Sequence, residues 1–191
     1  MSLKSDLLDE RLRAYDRLRG GFPIPLAGAL YWLALALAGY AGVREHLWIF
    51  GAFVTSGLIF PLALLLAKLF RCDFMHDRTP VTDVLFPAFT AMLLFWPMAV
   101  SAYWTYPALV PLILAVGMSM HWPVIGWSYG KTVLYSAHAV SRAAVCFYIW
   151  NWLPDDRRTL LPLSVSLIYL LTVLAILWDT RTGKKRHTQF T

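Results

Sequence analysis

Within Lys131–Trp150, KTVLYSAHAVSRAAVCFYIW, His138 and Arg142 lie four residues apart in otherwise apolar surroundings. A guanidinium attracts anions and an imidazole exchanges a proton near neutral pH, so the pair suits an anion site that can also pass a proton. At 100° per residue, Lys131, Tyr135, His138, Arg142 and Cys146 share a sector of about 80°, one polar stripe along a helix. Small residues flank it, Ser136, Ala139 and Ala143 on one side and Ala137, Ser141 and Ala144 on the other, so neighbouring helices can approach closely. Arg142 lies about 16 Å along the helix from Lys131, near the middle of a hydrocarbon layer about 30 Å thick. A charge facing lipid there costs about 3 kcal/mol on insertion scales, so the stripe is expected to face protein, a counter-ion or water.

The expected counter-ion is Asp83, with Asp179 second and His121 joining the cluster. In a carrier or channel for a small polar or anionic solute, Arg142 attracts the anion, His138 or His121 exchanges a proton and Tyr135 donates a hydrogen bond. The competing expectation is a satisfied polar network that locks the bundle of a non-catalytic membrane partner, one that stabilises or regulates another complex. An enzyme is the less favoured expectation, and a lipid-modifying one would need a nucleophile or metal facing the cytoplasmic headgroups. Ser136 and His138 point to different helix faces, and there is no glycine-rich phosphate loop or pair of carboxylates inside a span. No cofactor or metal is expected either. Cys72, Asp73, His76 and Asp77 are ligand types without zinc spacing, and Met118, Met120 and His121 read as ordinary span residues more readily than as a soft-metal site.

The elements that position the stripe follow from composition. The chain has 191 residues, 59% hydrophobic and 15% charged, against about 45–50% and 25% in soluble domains. The pattern predicts an all-α, polytopic transmembrane helical bundle with six spans, near 23–43, 47–69, 81–103, 105–125, 131–150 and 159–178. Residues 1–22 form an amphipathic surface segment and 180–191 a basic tail around the 23–179 membrane domain. In the first segment Leu8, Leu12, Tyr15 and Leu18 share a face and Asp9 and Arg13 form an i,i+4 pair, which predicts a helix on the membrane surface. Trp48, Trp104, Trp122, Trp127, Trp150, Trp152 and Trp178 fall at span ends, while Pro61, Pro87, Pro97, Pro111 and Pro162 fall inside spans and are expected to kink them.

Of the 17 Lys and Arg residues, thirteen fall on one predicted side and three on the other, which places both termini in the cytoplasm. The net charge of +6 thus reports orientation rather than nucleic-acid binding. Expected partners are the bilayer and a small solute, with self-association or a second membrane protein as further candidates.

Three stretches carry a resemblance: the entry Gly-Phe-Pro-Ile-Pro at Gly21–Pro25, GLIFPLALLLAKLF at Gly57–Phe70, and HWPVIGWSYGKTVLY at His121–Tyr135. They are similar to a family of small bacterial multi-span membrane proteins known only as a domain of unknown function. Its most specific pattern falls here on His121, Gly126, Trp127, Tyr129 and Tyr135. The resemblance implies a bacterial inner-membrane bundle and no particular activity. A site shared by the family is expected at His121–Tyr135, which adds Trp127 and Tyr129 to the candidates; His138 and Arg142 lie just beyond the similar part.

Overall fold

The computed structural model describes residues 3–72, 77 and 79–187, the side chains of 183–187 excepted. Regular structure among the described residues is helical: α1 (Leu3–Arg17), α2 (Pro23–Tyr40), α3 (Glu45–Thr55), α4 (Ile59–Leu69), α5 (Leu85–Leu93), α6 (Trp96–Thr105), α7 (Val110–Gly117), α8 (Trp122–Ser128), α9 (Thr132–Trp152) and α10 (Leu160–His187). Short 3₁₀ turns join several of them.

Five stretches are long and apolar enough to cross a membrane: Arg19–Tyr40, Glu45–Leu69, Leu85–Thr105, Pro107–Ser128 and Leu160–Thr182. Six were expected; the sixth, α9, packs beside them at the centre of the bundle but falls short in apolar composition. Its 21 residues suffice in length, but its polar stripe dilutes its apolar character. Large apolar side chains cover the outside, with Phe86 76%, Trp104 79% and Leu65 63% exposed. Water would penalise so continuous an apolar surface, and lipid does not. The chain is a membrane-embedded helical bundle.

Three unbroken helices form its centre, with α10 packed on both α2 and α9. Gly28 allows α2 and α10 to cross closely, since a Cβ there would sit 2.6 Å from Cζ of Tyr169. Ser166 Oγ on α10 donates to the Ala29 carbonyl at 2.9 Å, closing the same crossing. Around this centre, α3 is tied to α2 by Trp48 Nε1 donating to Leu35 O at 2.8 Å and Tyr31 Oη donating to Ala52 O at 2.6 Å.

The N-terminal helix docks on the bundle instead of resting on a surface by its apolar face alone. Ala14, Tyr15 and Leu18 are buried, and Leu8 and Leu12 lie against Gly130. Arg13 pairs with Glu10 at 2.8 Å, one turn earlier, in place of the expected Asp9 partner. Arg19, Gly20 and Gly21, with φ of 50°, 63° and 60°, then turn the chain into α2. A Cβ on Gly20 would meet Ile176 Cγ2 at 2.5 Å, so this turn is also a tight contact with α10.

Candidate functional site

The stripe of α9 faces inward. Arg142 is 0% exposed, and its Nη1 donates to Tyr169 Oη on α10 at 2.5 Å. The guanidinium carbon lies 4.7 Å from the Tyr169 ring centre and 5.7 Å from that of Trp32 on α2. Its Nε and Nη2 are buried without hydrogen-bond partners, and no ion pair reaches it among the described residues. Two cation–π contacts contribute about 2 kcal/mol each when desolvated, and a charge-assisted hydrogen bond about 1.5–3 kcal/mol. Desolvating an ion costs several kcal/mol even after relaxation, so these contacts hold the side chain without neutralising it.

The expected counter-ions serve elsewhere. Asp83 is exposed in the turn before α5 and makes no ion pair with Arg142 among the described residues. Asp179 lies 2.6 Å from Lys131 Nζ, the outermost member of the stripe. One turn from Arg142 toward Lys131, His138 shares Nδ1 with Thr172 Oγ1 at 2.8 Å, and its ring lies 4.5 Å from Trp122 and 4.7 Å from Tyr169. Cys146, the last member, is buried and free.

The remaining candidates hold the N-terminal segment. Arg11 donates to the Trp127 carbonyl and stacks 4.6 Å from the Trp127 ring. Tyr129 meets Tyr15 edge-on at 5.9 Å, and Tyr135 Oη donates to Gly20 O at 2.5 Å. Burial and the nearby Asp179 push the Tyr15 phenol well above its ordinary pKa, so it stays neutral. Hydrogen bonding to Asp77 likewise raises the Arg17 guanidinium, whose Nε lies 2.8 Å from that carboxylate. Trp127, Tyr129 and Tyr135 are thus clamp residues for α1. Of the expected set, His121 and the exposed Asp83 stand apart from both the clamp and the Arg142 and His138 contacts between α9 and α10, and of these two His121 is the buried one.

His121 lines a cavity of about 190 Å³, together with Ile59, Phe89, Phe95, Trp122 and Tyr169 among others. It is 7% exposed, and its Nδ1 is buried with no hydrogen-bond partner. Three helical rods are interrupted at this cavity by short, tighter turns whose flanking residues keep right-handed helical angles: between α3 and α4 at Ser56–Leu58, between α5 and α6 at 94–95, and between α7 and α8 at 118–121. Each break is followed by a proline, Pro61, Pro97 or Pro123. A proline denies the carbonyl four residues earlier its usual N–H, which falls on Gly57, Leu93 and Ser119. Serine hydroxyls tie down neighbouring carbonyls, with Ser56 Oγ on Phe53 O at 2.7 Å and Ser119 Oγ on Val116 O at 2.6 Å. Irregular backbone inside a membrane protein occurs where it is buried or lines a cavity.

Tyr169 joins the two halves of the arrangement. It lines the cavity with one face, and its oxygen accepts from Arg142, so its own O–H is left to donate. The cavity lining therefore includes one phenol that accepts from a cation, one imidazole whose Nδ1 has no hydrogen-bond partner and one indole, Trp122, whose Nε1 has none. Sequence reasoning did not find Tyr169, Thr172, Trp32 or Trp122, which complete the site from other helices. The signal for two of them was present: Tyr169 and Thr172 lie three apart in an apolar span, on one face. The metal-ligand types Asp73 and His76 lie outside the described residues, and no group of three or more His, Cys, Asp or Glu able to hold a metal occurs among the described ones.

The chain matches no curated protein and no solved structure. A family model does match, over residues 7–179, from the first turns of the docked α1 to the aspartate that pairs with Lys131. Over that length it takes in every residue named at the clamp, at the Arg142 contacts and in the cavity, and the chain belongs to this family of unknown function, DUF7010.

Proposed function

We propose that the protein is a bacterial inner-membrane carrier or channel for a small polar or anionic solute, with α1 and both termini in the cytoplasm. One observation carries the reading: three helices are interrupted around a single cavity whose Tyr169 is hydrogen-bonded to a buried guanidinium that has no carboxylate partner among the described residues. Broken helices lining a mid-membrane site are the recurring architecture of secondary transporters. An uncompensated cation behind the wall sets the sign of what the cavity favours. The excess of Lys and Arg on the α1 side supports the orientation, and the similarity to bacterial multi-span proteins supports the inner membrane.

Purified protein reconstituted in vesicles tests this by uptake of small organic and inorganic anions, with Arg142→Gln as the control. Uptake or binding by the wild type that the variant loses is the expected result. Equal behaviour of the two proteins across a broad anion screen overturns the reading.

A second reading has its own observation in the complete burial of Arg142 between Trp32 and Tyr169. There the cation is a lock between helices, and the protein is a non-catalytic partner of another membrane complex. It predicts that removing the charge destabilises the bundle and that no anion stabilises the wild type.

A further inference from the structure

The position of the cavity says how a ligand reaches it. Its rim carries Phe60 and Leu93, which are 49% and 51% exposed on the outer surface of the bundle. They lie on α4 and α5, in the two stretches least enclosed by the rest of the chain, each with 22% of its apolar window buried. Outward-facing apolar side chains at mid-span meet lipid, so the cavity opens sideways into the bilayer and not along the bundle axis toward water. Behind the rim the lining is aromatic and aliphatic, and its polar side chains Ser56, His121 and Tyr169 are buried. A volume of about 190 Å³ falls below the span of roughly 300–1,000 Å³ that holds a whole drug-sized ligand, so it suits one end of a longer molecule.

We propose that the anion is the acidic head of a membrane-dissolved amphiphile, a long-chain carboxylate or a related acidic lipid, that enters from the bilayer between α4 and α5. The head lies among the buried polar side chains, where Tyr169 O–H donates to it and His121 supplies a second polar contact. Arg142 acts through Tyr169 as a positioning residue, strengthening that donor and offsetting the negative charge. The tail leaves past Phe60 and Leu93 into lipid. This rests on the anion-site reading and narrows it to one ligand class and one route. His121 lines the cavity and its buried Nδ1 has no hydrogen-bond partner, so a polar group beside the cavity is left unmatched by the protein itself.

The test uses full-length protein in phosphatidylcholine nanodiscs, with quenching of tryptophan fluorescence by dibromostearate, since Trp96 and Trp122 line the cavity. A saturable component is expected. Removing a charge-assisted hydrogen bond with Tyr169→Phe weakens it about tenfold or more. Gly57 is on the cavity lining and a Cβ there meets nothing within 4 Å. Gly57→Phe therefore has room to start a side chain at the mouth and is expected to give a similar loss, with unchanged thermal unfolding as the check that the variant folds. Dibromostearyl alcohol, with the same tail and no acid, gives little saturable quenching, and butyrate does not compete.

Competition by butyrate as effective as by stearate overturns the amphiphile and its lateral route while leaving the anion site standing. Equal saturable quenching by the alcohol overturns the acidic head and with it the anion reading. Quenching that never saturates, or that both variants share with the wild type, overturns the whole proposal.

Discussion

The two halves of this bundle treat polar groups in opposite ways. In the centre, α2, α9 and α10 run unbroken and press their polar residues against rings and hydroxyls with no room left, down to the 2.6 Å that a Cβ on Gly28 would leave. Around α3 to α8 the helices are interrupted three times, and the interruptions surround a cavity. The charge sits in the packed half and the space in the broken half, with Tyr169 forming the wall between them. A membrane protein that exposed its only mid-span cation directly to the cavity would hydrate it. Placing a phenol in between keeps the cation dry and still presents its field to whatever enters.

The contrast is sharpest when the same substitution is made on each side. Gly28→Val drives a side chain into the Tyr169 ring, and overpacking of this kind costs about 3 kcal/mol. Gly57→Val adds the same atoms where nothing lies within 4 Å and changes stability by about 0.5 kcal/mol or less. Thermal unfolding in detergent reads both, and similar losses at the two glycines would break the comparison.

A smaller effect is expected at the clamp. Tyr135→Phe removes the buried hydrogen bond to Gly20 O and costs about 1 kcal/mol. Because that bond anchors the turn between α1 and α2, amides of α1 should exchange faster with deuterium while those of α5 and α6 stay unchanged. Uniform acceleration would show that the clamp and the cavity are one cooperative unit.

A still smaller change in stability is expected from Pro97→Ala, which restores an N–H opposite the Leu93 carbonyl. The shift is about 1 kcal/mol or less, of either sign, because the regained helical bond is offset by backbone freedom in the unfolded chain. The informative readout is local: amides at 94–99 should exchange more slowly as the rod straightens. No change there would mean that tertiary packing, and not the proline, breaks the helix.

The sequence was legible where a single helix carries its own pattern. Lys131, Tyr135, His138, Arg142 and Cys146 recur at helical spacing, and the face they share is the buried one, except for Lys131 at its outer end. The partners of that face were not legible, because counter-charge was sought among acids. Asp83 is the nearest candidate by charge and depth, yet Arg142 is met by Trp32 and Tyr169, whose rings carry no formal charge for a sequence to display. The family-like run His121–Tyr135 misled for a related reason. Its Trp127, Tyr129 and Tyr135 look like site residues, but their long-range partners, Arg11 for Trp127 and Tyr15 with the turn at Gly20 and Gly21 for the two tyrosines, lie more than a hundred positions earlier. Prolines inside spans were visible, and Pro61 and Pro97 do mark breaks. That these breaks meet at one level, joined by the one before Pro123, is a property of packing that no single span encodes.

The central claim is that Arg142 is an uncompensated charge kept for a ligand rather than a lock that holds the helices together. Thermal unfolding of Arg142→Met in detergent without added anion tests it most directly, because replacing a desolvated charge with an apolar side chain is neutral or stabilising where the charge is not paying its own way. The account predicts melting at or above the wild-type temperature. A fall of about 4 °C or more would show the guanidinium to be a structural lock and would contradict it.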